Sequence, residues 1–216
     1  MHQNRHNTGT FWPIPRKGKK YVALSTHDKR ESMPLVVVMR DVLGIVQTEK
    51  ELKKAIHEKQ ISVNGKIVQE AHYPLSLFDV FSIKSMGKKL KVFLSDNRRF
   101  MFKEVSGKES ESKVYKVIGK KVLSKGKIQV NLAYGKNVLI KDNVMVGDSI
   151  VIGFDGKIIK IIKMEKGSKG YVVKGKHMGH VGKMTDIIMQ GGKKLAQIAD
   201  GKEEVTVWIK NVVAIE

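Results

Sequence analysis

TEKELKKAIHEKQISVNGKIV, residues 48–68, joins a short lysine-rich helix pattern to a strand–turn–strand pattern. Leu52, Ala55 and Ile56 stand at i, i+3 and i+4 and so share one helix face. Lys50, Lys53, Lys54 and His57 project from another side, with Lys50, Lys53 and His57 in one row. Ile61 and Val63 then alternate with Ser62 and Asn64, and Asn64-Gly65 supplies the pair of positive-φ residues that a type I′ hairpin turn needs. Lys66 leaves that turn beside the basic helix face. A helix–hairpin unit with one cationic side can hold a phosphate backbone. The plainer alternative is a solvated helix on an ordinary α+β domain.

Composition favours the first reading. The chain has 41 Lys+Arg against 21 Asp+Glu in 216 residues, a formal net charge of +20. Self-repulsion of that size opposes compactness unless a polyanion offsets it, and it drives nucleic-acid binding. The lysines are spread along the whole chain rather than gathered in a tail. A basic membrane-surface protein needs an amphipathic helix with bulky aromatics on its apolar face, and the sequence has none. No apolar run approaches about 18 residues, and MHQNRHNTGT lacks the apolar core of a signal peptide. The absence of cysteine excludes disulfides and thiolate metal sites and fits a cytosolic protein. The expectation is a soluble, intracellular chain that binds a polyanion, with no membrane partner.

The length allows several small domains. Residues 1 to about 33 read as a basic arm: prolines oppose helix in WPIPRKGKK, and Phe11, Trp12, Ile14 and Tyr21 interleave with cations. Such a segment can order on binding. From Pro34, the spacing of Leu35, Val38, Met39 and Val42 predicts a helix stopped by Gly44, although Val36–Val38 is β-branched. The helix–hairpin follows, and Phe78, Val80, Phe81 and Ile83 predict a closing strand, which gives a unit over 34–91. Residues 92–167 read as all-β, with apolar runs at 114–118, 128–132, 137–140, 149–152 and 158–162 broken by turns such as Asp155-Gly156. That spacing suits a small barrel or compact sandwich. Residues 107–112 read as an exposed loop. Residues 168–216 form another short-strand unit, with runs at 171–173, 182–184, 187–189 and 205–209 that could close a five-stranded sheet. Between them lies GKHMGHVGK (residues 175–183), whose glycines permit positive φ and close backbone approach while its cations face outward. Glycine-rich turns in small barrels also exist simply to bend strands.

Taken together and in order, four segments resemble a known family. They are the arm WPIPRKGKKYV with HDKRESMPL; MPLVVVMRDVLGI through QISVNGKIV to YPLSLFDVFSI; the central GKIIKIIKMEKG; and YVVKGKHMGHVGKMTDI, which looks like a KOW motif. The chain resembles the eS-four family of archaeal and eukaryotic small-subunit ribosomal proteins, across nearly all its residues. The resemblance implies a mostly β, α+β multi-domain chain: basic N-terminal arm, S-four-type RNA-binding domain, central small β domain and C-terminal SH3-like (KOW) barrel. It implies a structural, non-catalytic role in translation, with 16S-type ribosomal RNA and neighbouring ribosomal proteins as partners and no homo-oligomer or cofactor. Many S-four-type modules begin their second helix with Ser-Arg. Here Thr48-Glu49 stands in that place, so Glu49 is not assigned to RNA. The sequence ends at Val213–Glu216 without the basic tail of some relatives, and contacts made by such a tail are not carried over.

The candidate RNA-binding residues follow from charge, position and motif. Arg16, Lys17, Lys19 and Lys20 belong to the arm, and His27, Lys29 and Arg30 precede the first helix. Arg40 could meet RNA or pair with Asp41. Lys50, Lys53, Lys54, Asn64 and Lys66 form the helix–hairpin face, and Lys176, His177, His180 and Lys183 decorate the glycine-rich loop. Phosphate contacts of this kind supply affinity and orientation. Selectivity would come from RNA shape, 2′-hydroxyls and any stacking by Trp12 or Tyr21, which could equally be anchors into protein.

Two rival functions are weighed against this reading. An RNA-modifying enzyme needs a separate catalytic domain, and after Val92 there is neither a glycine-rich cofactor loop nor a carboxylate-centred pocket motif. A KOW-type transcription or assembly factor that visits the ribosome is not separated by sequence. His177 and His180, like His2 and His6, lack the cysteine or carboxylate company of a metal site, so no metal is expected.

Overall fold

The computed structural model describes residues 2–123, 127–140, 142–201 and 204–215. The chain is mostly β with few helices, and it divides into two compact units between Lys113 and Val114.

In the first unit, the arm is folded on itself. Strand β1 (His2–Asn4) pairs antiparallel with β2 (Tyr21–Ala23). Trp12 and Ile14 are buried, and the Phe11 ring lies 4.6 Å from that of Phe100. Phe11, Trp12 and Ile14 are therefore anchors, which leaves the cations outside. Trp12 resolves as a core residue, whereas Tyr21 stays exposed.

Strand β3 (Met33–Pro34) leads into α1 (Leu35–Val37), which widens at once into a π-helical turn over Val38–Val42. The wider turn is visible in Leu43 N–H, which donates to Val38 O at 2.9 Å. Leu35 to Met39 are all buried. A helix apolar all round must be enclosed, and here packing outweighs the β preference of Val36–Val38. Gly44 ends it at φ +64°, the left-handed stop that a glycine provides.

Helix α2 (Glu49–His57) buries Leu52 and Ile56. The Thr48 hydroxyl caps it, accepting from Glu51 N–H at 3.3 Å, while the Glu51 carboxylate accepts from Gln47 N–H at 2.8 Å. Its C-terminus closes by the reciprocal pattern of Gln60 N–H to Ala55 O (3.0 Å) and Lys59 N–H to Ile56 O (2.9 Å). That motif puts Lys59 at φ +56°, where glycine is usual.

The hairpin of β4 (Ile61–Val63) and β5 (Lys66–Ile67) turns on Asn64 (φ +50°) and Gly65 (φ +77°), the predicted type I′ geometry. After β6 (Pro74–Leu75), which pairs with β3, come β7 (Val80–Ile83), β8 (Lys88–Leu94) and β9 (Phe100–Glu104). One antiparallel sheet runs in the order β5-β4-β7-β8-β9. The sheet under the helix–hairpin thus continues to Glu104. Phe78, expected within the closing strand, sits before it at φ +64°, with its N–H bonded to Val92 O. Gly107–Glu111, expected as an exposed loop, is a 3-10 turn that exposes Gly107, Glu109 and Glu111 and buries Ser110, which donates to Gly107 O and accepts from Lys89 Nζ.

The second unit holds two antiparallel five-stranded sheets. Strands β10 (Ser112–Val122), β11 (Ile128–Leu132), β12 (Asn137–Ile140), β13 (Ser149–Gly153) and β14 (Ile158–Ile162) are ordered β12-β11-β10-β13-β14. Val117, Val130, Ile150 and Ile152 lie at the centre of their core. Strands β15 (Lys169–Val172), β16 (Val181–Gln190), β17 (Lys193–Ala199), β18 (Glu204–Trp208) and β19 (Val212–Ile215) are ordered β18-β17-β16-β15-β19. Their core gathers Val172, Met184, Ile198 and Val212. The two short runs expected at 182–184 and 187–189 are one strand, β16, with its register shifted by an irregularity between Met184 and Asp186. β17 and β19 were not anticipated. β17 opens with two lysines that mask its alternation, although Gly191-Gly192 before it carries the hairpin signature, at φ +56° and +71°.

Candidate nucleic-acid interface

On α2, Leu52 and Ile56 point into the core, and that orientation leaves Lys50, Lys53, Lys54 and His57 exposed. Lys66 is exposed on the hairpin. These cations are not equivalent. Lys53 Nζ pairs with Glu49 Oε1 at 2.8 Å, one helical turn back, and this contact holds the Glu49 carboxyl below its usual range. Glu49 also lies 3.9 Å from His72 Nε2. Lys50 and Lys54 form no ion pair among the described residues. Beside the helix, a cleft of about 960 Å³ takes Lys53, His57 and Lys59 on its cationic side and Leu24, Ile67 and Val68 among its apolar lining.

Asn64 does more than turn the hairpin. Its Nδ2 donates to Asp79 Oδ1 at 2.6 Å and its Oδ1 accepts from Val80 N–H at 3.0 Å, so the amide is engaged within the fold at both ends. Arg40 makes a two-pronged pair with Asp41, Nε to Oδ1 at 2.8 Å and Nη2 to Oδ2 at 2.9 Å. Of the two roles left open for Arg40, the local pair is the one present.

Arg16, Lys17, Lys19 and Lys20 are all exposed, held by a residue that charge counting passed over. Arg5 donates from Nε to Lys19 O at 2.8 Å and from Nη1 to Pro15 O at 2.7 Å, while its backbone N–H donates to Lys20 O at 2.8 Å. A guanidinium clasping carbonyls turns this segment's side chains outward. His27, Lys29 and Arg30 are exposed on a turn fastened from beneath by Ser32, whose hydroxyl donates to Asp28 O at 2.6 Å.

In the second unit, the glycine-rich loop uses its glycines in two ways. Gly175 and Gly179 adopt φ +100° and +96°, whereas a side chain at Gly182 would meet Ala199 O at 2.5 Å. Lys176 and Lys183 are exposed, and His177 and His180 are half-buried. His180 turns Nε2 inward, buried and without a hydrogen-bond partner among the described residues.

Other cations are consumed inside the protein. Lys113 Nζ, buried, pairs with Asp79 Oδ1 at 2.6 Å. Lys116 Nζ donates to the carbonyls of Ile209, Lys210 and Val212, and burial pushes its pKa down to about 8. Burial likewise lowers the pKa of Lys91, against the pull of Glu109. Among the described residues, no three His, Cys, Asp or Glu side chains gather as a metal site would require, and no helix is long and apolar enough to cross a membrane.

Comparison with known proteins places this architecture. The chain is 31% identical over 207 residues to a small ribosomal subunit protein eS4 of Methanosphaera stadtmanae, covering 94% of this chain and 86% of that one. The chain belongs to the ribosomal family S4e. The family's sequence profile matches residues 86–159. Another S4e relative, the eS4 protein of Methanocella arvoryzae, is 32% identical over 190 residues, 86% of this chain and 80% of that one. The 30S ribosomal protein S4e of Thermoplasma acidophilum, a solved crystal structure, superposes with a TM-score of 0.74 at 26% identity, over 87% of this chain and 96% of that one.

Lys59 is a further cation that sequence reading passed over. A lysine at φ +56° costs on the order of 1 kcal/mol relative to glycine. Strain retained at an exposed cation beside the cleft suggests a use for the charge in this S4e protein. Lys59→Gly is expected to raise stability by about 0.5–1 kcal/mol in denaturant titration while weakening RNA binding. A variant that binds RNA as tightly as the parent would contradict that use.

Proposed function

We propose that this S4e-family chain is a structural constituent of the small ribosomal subunit, in the cytoplasm, that binds 16S-type ribosomal RNA and touches neighbouring ribosomal proteins. Family membership carries this reading. The net charge of +20 and the exposed cations of the arm, α2 and the glycine-rich loop support it. The role is one of scaffolding rather than catalysis.

In this reading the chain comprises a basic arm (1–33), an S-four-type module (34–91), a central β domain (92–167) and a KOW-type SH3-like barrel (168–216). The proposed RNA ligands are Arg16, Lys17, Lys19 and Lys20; His27, Lys29 and Arg30; Lys50, Lys53, Lys54 and Lys66; and Lys176, His177 and Lys183. Asn64, Arg40 and His180 act by shaping the faces on which these stand. Strands β8 and β9 extend the module's sheet beyond residue 91 and give the helix–hairpin a rigid floor.

The test is fluorescence anisotropy of labelled small-subunit rRNA fragments against the purified chain at increasing salt. The expected result is binding whose log affinity falls linearly and steeply with log salt. Absence of binding at low salt, or a flat salt response, would refute it.

A further inference from the structure

The solvent side of the sheet formed by β16, β17 and β18 carries an apolar row at one register. Ile188 pairs with Leu195, and Leu195 with Trp208. Directly paired residues lie on one face of a pleated sheet, and the alternate positions Ala196, Ile198, Val205 and Val207 fill the core on the other. Ile188 is 40% and Trp208 37% exposed, whereas the chain's other tryptophan, Trp12, is 4% exposed. Trp208 stands on β18, at one end of the sheet order. Lys210 Nζ lies over its ring 4.9 Å from the centroid, and Lys193 Nζ 5.5 Å from it. Neither lysine has a carboxylate partner among the described residues.

An exposed indole with two ammonium groups over its ring has a specific chemical complement. Cores of protein–protein interfaces are poor in lysine, because burying an unpaired ammonium costs more than the apolar contact returns. A nucleotide satisfies both features at once. Its phosphate draws an ammonium from the ring, and its base takes the vacated π face. Phosphate contact alone does not require the indole, and stacking alone does not require the lysines.

We propose that Trp208, flanked by Lys193 and Lys210, is a stacking platform for an unpaired RNA base whose adjoining phosphates are held by the two lysines. The inference rests on the RNA-binding reading above and adds a single-stranded contact to it, at residues separate in sequence from the glycine-rich loop's cations.

The test uses the full chain and an oligouridylate of about eight nucleotides, a length within the range of known single-strand sites. Binding should quench the exposed tryptophan emission saturably and shield it from acrylamide. Trp208→Ala should weaken binding by about 5- to 150-fold, the equivalent of one lost base–aromatic stack, and Trp208→Phe should retain most of the affinity. Lys193→Gln and Lys210→Gln should each lower the slope of log affinity against log salt by about 1. Circular dichroism checks that the variants fold, and the acrylamide measurement on the unaltered chain depends on no variant. A Trp208→Ala chain that binds as tightly as the parent, or a Trp208 still open to acrylamide in the saturated complex, would overturn the proposal and leave the face to a neighbouring protein. If the chain binds structured small-subunit rRNA but not oligouridylate, the proposal fails and the ribosomal reading stands. If it binds neither, both fail.

Discussion

Asp79→Ala is expected to destabilise the first unit by about 3–5 kcal/mol, a large share of the roughly 5–15 kcal/mol that holds a typical domain together. The Asp79 carboxylate is almost wholly buried and accepts from four donors: Lys113 Nζ at 2.6 Å, Asn64 Nδ2 at 2.6 Å, and Ser76 N–H and Oγ–H, both at 2.7 Å. Its removal takes the carboxylate counter-charge from the Lys113 ammonium, whose side chain is 3% exposed and which keeps a hydrogen bond to Ser76 Oγ at 3.2 Å, in a medium that solvates charge poorly. It also unfastens Asn64, the residue that sets the hairpin turn beside the basic helix. The double variant Asp79→Ala/Lys113→Met should recover a substantial part of the loss, because removing both charges leaves neither buried alone. Urea denaturation of the three proteins measures this. A loss below about 1 kcal/mol for Asp79→Ala, or strict additivity in the double variant, would show that the pair does not bear the charge burden assigned to it.

Replacing both Lys50 and Lys54 by Gln is expected to lower the slope of log RNA affinity against log salt by about 2, with no change in the denaturation midpoint. Both lysines are exposed and free of ion pairs among the described residues, so each can displace a counterion from a phosphate. Lys53→Gln should change the slope less, since Lys53 is already engaged by Glu49 at 2.8 Å. Glu49→Gln should steepen the slope by releasing Lys53 and removing a negative charge beside the RNA. Equal effects of all three lysines would mean that the Glu49 pair opens at no cost. No effect from any would remove α2 from the RNA site.

The part of the fold that was legible in the sequence is the part with a clean period. α2 and its hairpin followed from apolar residues at i, i+3 and i+4 and from Asn64-Gly65, whose turn chemistry is local. The strands at 128–132, 137–140 and 158–162 were bounded by turns and appear where expected. What escaped had its pattern overridden. Leu35–Met39 is apolar on every side and β-branched at Val36–Val38, so its enclosure rather than its propensity makes it helical, and the π-helical turn that follows over Val38–Val42 has no signal in the sequence. β17 lost its alternation to Lys193-Lys194.

The candidate site was legible as charge but not as geometry. Composition counts Lys91, Lys113 and Lys116 with the surface lysines, yet Lys91 and Lys113 are buried, Lys116 is half-buried, and all three are bonded inside the protein. Arg5, Lys59 and Trp208 carry no local motif. Their roles depend on carbonyls ten and more residues away, on a helix-end conformation and on a strand register. None of these is written in adjacent residues. Arg40 shows the converse: its neighbour Asp41 was visible in sequence, but the two-pronged geometry of the pair was not.

A resident part of the small ribosomal subunit and a visitor to it differ in whether they stay bound through a salt wash. Quantitative mass spectrometry of small subunits purified through a high-salt wash tests this most directly. The account predicts close to one copy of the chain per particle after the wash, while loss of the chain from washed particles would contradict it.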